Sequence, residues 1–407
     1  MPTATKTFAY TVRDRSGKVV NGQVDAASQS AAVNKLKGQG LAPISVNEAG
    51  TGMNRELSLP GSNRVGLKDI AIMSRQFATM INSGLTLLRA LNILADQSEN
   101  AGLRKALTDV RNQVEAGTSL SAALASHEKV FPPLMVNMCR AGEVGGFLDQ
   151  ALLQVADNFE AEVKLRSKIK AAMTYPVAVL VIAIACVIGM LKWIVPTFEN
   201  LFTSLGGELP APTQVLVFLS KQMTWFLPVF LVLTVVGVVV WSQVRHQDNV
   251  RSVVDPVKLK TPVFGPLFQK VALSRFARNL GSMIRSGVPI LQALEIVGET
   301  TGNIVIEKAL FDVRDSVRQG ESLAGPLEQH PVFPPMVVQM LAVGEDTGAL
   351  DTMLHKLSDF YDNEVEATTE ALTALMEPLM IAVLGSIVGG MIIALYMPIF
   401  RIFDLIK

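Results

Sequence analysis

Four acidic residues recur in matched turns: Gly142-Glu143, Gly146 and Leu148-Asp149 return as Gly344-Glu345, Gly348 and Leu350-Asp351. Paired carboxylates of this kind could hold a cation or divide acid and base roles between them. They also suit the start of a long helix, where a carboxylate satisfies free amides and favours the dipole. The glycines around them already explain a turn, so the structural role is the expected one. His127 and His330 also hold equivalent places, each just before a Phe-Pro-Pro sequence. They read as capping or turn residues rather than metal ligands. Cys139 and Cys186 form no CxxC or Cys/His metal spacing and cannot make a disulfide framework. No GxxxxGKS/T phosphate loop, GxSxG or HExxH sequence occurs. No catalytic residue, metal ligand or cofactor site is expected, and the chain is not expected to be an enzyme.

The turns belong to elements that lead into a membrane. Tyr175–Pro196, YPVAVLVIAIACVIGMLKWIVP, is an apolar run of about 20 residues, enough to cross a bilayer as a helix. Pro378–Phe400, PLMIAVLGSIVGGMIIALYMPIF, repeats its design, and Met223–Val244 is a further span between them. Of the 407 residues 49% are hydrophobic, and their concentration in three runs points to spans rather than a large soluble core. A net charge of +0 gives no reason to expect a nucleic-acid partner. None of the spans has Asp, Glu, Arg or His in its middle, and Lys192 is close enough to an end to snorkel. Ion transport needs ionisable groups or a polar path through the bilayer, so a transporter or channel subunit is disfavoured.

Everything in front of the first and last spans is duplicated. Ser83-Gly84 matches Ser286-Gly287, Asn100 matches Asn303, Phe131-Pro132-Pro133 matches Phe333-Pro334-Pro335, and Pro176 matches Pro378. A period of about 200 residues is too long for a solenoid and marks a duplicated domain. The apolar residues of each copy fall at helical spacing, as Leu148, Leu152, Val155, Phe159 and Val163 do. The fold class is therefore mainly α: a polytopic membrane protein with two duplicated cytoplasmic helical bundles, three transmembrane helices and a small N-terminal α/β unit. The expected order is an α/β unit at 1–48, a linker at 49–66, a six-helix bundle at 67–172 and a span at 173–195. An external loop at 196–222, a span at 223–244 and a cytoplasmic connector at 245–270 follow. The second six-helix bundle takes 271–375, the last span 376–400 and a short external tail 401–407.

Orientation follows from charge. Lys164, Arg166, Lys168 and Lys170 precede the first span, and Arg245, Arg251, Lys258 and Lys260 follow the second. The positive-inside rule puts both bundles in the cytoplasm. Met1–Ala9 lacks the apolar run of a cleaved signal, so the N-terminus is expected in the cytoplasm as well. Tyr175-Pro176 and Glu377-Pro378 stand where bundle meets membrane, and a kink or restart there would set the angle between the two. Proline in the first turn of a span costs little. Gly385-Ser386 and Gly389-Gly390 place small residues on one helical face, which favours close helix packing and, with the odd number of spans, self-association.

The paired bundles, the sequences Ala172-Met173-Thr174-Tyr175-Pro176 and Leu375-Met376-Glu377-Pro378, and the terminal Tyr396-Met397-Pro398-Ile399-Phe400 together resemble the GspF/PilC family. Its members are inner-membrane platform proteins of type II secretion systems and type IV pili. The likeness covers nearly the whole chain. Glu208-Leu209-Pro210-Ala211, Val383-Leu384-Gly385, Val388-Gly389-Gly390 and Ala394 look more like the pilus branch than the secretion branch. The resemblance implies a multi-pass protein of the cytoplasmic (inner) membrane that contacts hexameric assembly and retraction ATPases in the cytoplasm. It implies pilins and other assembly proteins as membrane partners. Movement of the ATPase would turn or tilt the bundles, and the spans would help insert or extract a pilin. The sequence Thr-Tyr-Pro stands only in the first copy, against Met-Glu-Pro in the second, so the two joints need not act alike.

Overall fold

The computed structural model describes residues 6–13, 19–26, 29–38, 42–48, 64–204, 209–244 and 247–405. Most of the linker at 49–66 and the end of the tail lie outside them. The chain divides into two compact units, Met1–Ser62 and Asn63–Lys407.

The first unit holds three strands and one helix. β1 (Lys6–Arg13) lies between β2 (Val19–Ala26) and β3 (Ala42–Glu48), antiparallel to both, with a bulge at Thr11/Val12 where β3 pairs. α1 (Gln29–Gly38) buries Ala32 and Leu36 with Ala26, and Val24 and Val33 pack on that cluster. A unit of this length supports only a small core and is of marginal stability by itself.

The second unit is helical throughout its described residues. The first bundle comprises α2 (Leu67–Asn82), α3 (Leu87–Gln97), α4 (Ala101–Glu115), α5 (Leu120–Ala125), α6 (Pro133–Gly145) and α7 (Leu148–Gly189). α8 (Val195–Ser204), α9 (Ala211–Val244) and α10 (Asp248–Lys260) follow. The second bundle comprises α11 (Gly265–Arg285), α12 (Ile290–Thr301), α13 (Ile304–Arg318), α14 (Ala324–Glu328), α15 (Pro335–Asp346) and α16 (Leu350–Leu405).

Equivalent caps start equivalent helices. The Asn100 side chain accepts from Gly102 and Leu103 at the head of α4, and Asn303 accepts from Val305 at the head of α13. Pro133 and Pro335 open α6 and α15, where a missing amide is harmless. Apolar stripes then close the bundles. Phe77, Leu91, Leu107, Leu124, Met138 and Leu152 are buried in the first, and Phe276, Leu294, Leu310, Leu327, Leu341 and Leu354 in the second. Gly142 marks the closest approach of α6 to α7: a Cβ there would stand 2.8 Å from that of Ala151 and 2.9 Å from Leu148 Cα. Gly344 repeats the fit, with Leu350 Cα at 3.0 Å.

Three helices are long and apolar enough to cross a membrane. The first and last are continuous with the bundles: α7 runs through Pro176, and the 56 residues of α16 run through Pro378 and Pro398. The restart expected at each joint is absent, because backbone bonds on either side carry the helix past a single missing amide. Each proline therefore stands mid-helix rather than in a first turn. The stretch read as an external loop is also mostly helical. A π-turn at Met190–Ile194 leads α7 into α8, and α9 begins at Ala211, well before Met223. Polar residues such as Thr213, Gln214, Ser220 and Lys221 hide the start of α9 from a search for apolar runs.

Candidate functional site

The matched glutamates have clear partners, but not on the helices expected. Glu143 and Glu345 lie in the last turns of α6 and α15 and reach back to the short helix before them. The Leu120 and Ser121 amides donate to Glu143 at 2.5 and 3.0 Å, and the Leu323 amide donates to both Glu345 oxygens at 3.0 and 2.9 Å. Each carboxylate thus satisfies free amides at the start of α5 or α14. Asp149 and Asp351 do occupy the first turns of α7 and α16. Gly146 and Gly348 turn the chain between them with φ of 76° and 69°, in the left-handed region where a Cβ is strained. The two clusters sit in separate bundles.

The histidines are also paired alike. His127 Nε2 lies 2.7 Å from Asp109, and His330 Nε2 lies 3.7 Å from Asp312, tying the segment after α5 or α14 to the preceding helix. His127, first, and Gln113 hold the Asp109 carboxyl below the ordinary range. Cys139 is fully buried, and burial pushes its thiol up, which keeps it in the unreactive protonated form.

The bundles meet one another through polar contacts that no sequence motif marks. Glu162 of α7 accepts from Arg275 of α11 at 2.7 Å and from Arg166 at 2.7 Å. Burial works against its ionisation, but the two guanidiniums outweigh it and hold the carboxyl below its usual range. Asn158 Nδ2 donates to Asn279 Oδ1 at 3.0 Å between buried side chains. Nearer the membrane, Lys168 of α7 pairs with Glu366 of α16.

Beyond this level the two long helices converge, part and converge again. Leu165, Leu267, Val365 and Leu372 close the side of the parting nearer the bundles. Leu191, Val195, Val217, Met391 and Leu395 close the far side. Between them lies a cavity of about 500 Å³ with an apolar wall that includes Pro176, Leu180, Phe226, Met376, Leu379 and Val383. Pro176 is buried at its edge, whereas Tyr175 and Glu377 are exposed and Pro378 faces away. The two joints are thus unlike in surroundings as well as in sequence. Gly385, Gly389 and Gly390 meet nothing: a Cβ at any of them would be more than 4 Å from its neighbours. Their small face on α16 is open within the chain.

The far closure rests on two hydroxyls. Pro398 has no amide to offer the Ala394 carbonyl one turn earlier, and the Thr213 hydroxyl of α9 donates to that oxygen at 2.5 Å. In the π-turn the Val195 amide bonds Met190, so the Leu191 carbonyl would look to residue 196, which is proline. The Ser220 hydroxyl, also of α9, donates to Leu191 at 2.6 Å instead. Pro196 and Pro398 are repeat-equivalent, so one unduplicated helix satisfies the same defect in both copies. Apolar scanning missed Thr213 and Ser220. The legible signal was a proline near the end of each span, which demands a donor from a neighbour in a lipid setting.

Comparison with known proteins matches residues 73–196 and 276–398 to the type II secretion system protein F model, and residues 1–47 to the N-terminal domain model of that protein. The chain belongs to the type II secretion system protein F family. Both matched halves run from α2 or α11 through the joint to the Pro196 or Pro398 end of a span. Among relatives of this family, "Type IV pilus assembly protein PilC" of Myxococcus xanthus is 44% identical over 98% of this chain and 95% of its own length. The protein of the same name from Thermus thermophilus is 44% identical over 97% and 98%. "Type II secretion system protein F" of Aeromonas hydrophila is 32% identical over 92% and 97%.

Proposed function

We propose that this chain is the inner-membrane platform of a type IV pilus machine, coupling a cytoplasmic ATPase to the insertion and extraction of pilins. The observation that carries this reading is the near full-length identity of 44% with relatives named for pilus assembly, against 32% for one named for secretion. The architecture supports a mechanical role. Two bundles continue without a break into span-length helices, so displacement of a bundle reaches the bilayer directly. Glu143 and Glu345 are engaged in capping, and His127 and His330 in pairing with aspartates. Energy comes from a partner, the hexameric assembly and retraction ATPases, and the chain itself is not an enzyme. The bundles face the cytoplasm, in line with the cations that flank the first two spans. Tyr175, Pro176, Glu377 and Pro378 are the coupling residues, and Gly142, Glu143, Gly344 and Glu345 hold each bundle together behind them. The Gly385–Gly389 face serves helix packing with a neighbouring span. The working form is an oligomer of this chain.

Deleting the gene decides between the branches. Loss of surface filaments and twitching, with secreted enzymes unchanged, is expected; the reverse pattern would transfer the chain to a secretion system. Purified protein that hydrolysed ATP unaided would overturn the coupling role.

A further inference from the structure

The two bundles of one chain meet through unlike faces. The first offers α6 and α7; the second offers α11 and α12, and α16 meets α7 nearer the membrane through Glu366 and Lys168. Asn158 of α7 is hydrogen-bonded to Asn279 of α11, Glu162 pairs with Arg275, and Gln292 of α12 donates to Asn137 of α6 at 3.3 Å. Were the bundles related by a two-fold, the same contacts would recur between α16 and α2. Among the described residues no hydrogen bond or ion pair joins those helices. The contact is therefore head-to-tail, and such a contact leaves one face of each kind unused at either end.

The unused faces leave large apolar side chains exposed where the equivalent residues of the used faces are covered. On α2 and α3, Ile72 stands in the place of Arg275 and Gln76 in that of Asn279, and Ile72 and Leu88 are 48% and 37% exposed. On α15 and α16, Phe360 stands in the place of Asn158 and Met336 in that of Leu134. Phe360 and Met336 are 41% and 36% exposed, whereas Asn158 and Leu134 are 4% and 3%. Val343, next to them on α15, is 47% exposed. α7 and α16 both run from bundle to membrane in the chain direction. The operation that carries the first bundle onto the second thus preserves the membrane direction, and applying it once more sets another chain in the same bilayer with the same polarity.

We infer that the α2–α3 face of one chain docks on the α15–α16 face of a second copy, repeating between molecules the arrangement that joins the two bundles within one. Gln76 then lies opposite Phe360, and Ile72 one turn away covers its ring. Ile72, Leu88, Met336, Val343 and Phe360 leave water together, which supplies the driving force. This assigns a surface to the self-association put forward above and is independent of whether the machine builds pili.

The test uses the full chain in its native membrane, with Cys139→Ala and Cys186→Ala as background. Two differently tagged chains are co-expressed, one with Gln76→Cys and one with Phe360→Cys, and mild oxidant is applied. A disulfide between the two tags is expected, with little from chains that all carry Gln76→Cys. A mixed pair that stays uncrosslinked, or Gln76→Cys chains that link to one another equally well, would overturn the docking. Phe360→Glu provides a second reading. Placing a charge at the centre of the face is expected to weaken self-association about tenfold or more, measured by mass photometry in detergent, with the melting curve of the protomer unchanged. Unaltered association would also overturn it.

Discussion

Glu162 is a residue whose role was invisible until its neighbours were placed. Two arginines converge on it, one of them from the other bundle. Its carboxyl is held below the ordinary value, so the stability it contributes is fully present above the unfolded glutamate range of about 4.3 and disappears as pH falls through the lower folded value. Thermal melts of the detergent-solubilised protein between pH 6 and pH 3, values around that range, are expected to show an acid-side loss that Glu162→Gln flattens. If the variant and the parent fall off together, Arg275 is not what holds the bundles. Glu143 and Glu345 were legible as structural acids because a repeat at fixed spacing beside glycine signals a turn. Which amides they would cap was not, since the partners stand 22 residues apart in the sequence. Asn158 and Asn279 were not legible at all: a buried pair 121 residues apart leaves no periodic trace.

At the scale of elements, the apolar runs announced three spans, and the repeat announced two bundles of six helices, because both signals depend on burial that recurs at fixed spacing. What failed was the boundary between them. A proline read as a first-turn residue turned out to stand inside a continuous helix, at a general cost of about 3 kcal/mol. Pro176→Ala and Pro378→Ala are therefore expected to raise the melting temperature of the isolated protein while lowering the number of filaments per cell. Normal filament counts in the double variant would remove the prolines from the coupling path. The α9 hydroxyls make the opposite prediction. Thr213→Val and Ser220→Ala each strand a carbonyl away from water and are expected to cost about 1 kcal/mol. Differential scanning fluorimetry of the purified protein reads that cost directly, and two silent variants would mean that the carbonyls find other donors.

For the whole molecule, the orientation rests on charge asymmetry around the first two spans and on the parallel course of α7 and α16. A cysteine placed at Val144, which is 86% exposed on the first bundle, or at the exposed Glu321 on the second, is expected to resist an impermeant maleimide in intact cells. Both are expected to label once the inner membrane is opened, and a cysteine at Thr203 to label from outside. Label on Val144→Cys or Glu321→Cys in sealed cells would invert the protein. The small-residue face of α16 illustrates what one chain's sequence cannot resolve. Its spacing was plain, but among the described residues a Cβ at Gly385 or Gly389 would meet nothing within 4 Å.

The two prolines at the far ends of the spans have one further effect. α9 is the single strap on two posts, and each buckle is one hydroxyl fitted to one oxygen. Sliding either post by a helical turn of about 5.4 Å would carry its oxygen out of reach and leave it bare in hydrocarbon. The far tips of the posts are consequently locked in step, and whatever freedom the machine has must be found closer to the bundles, where the posts stand apart.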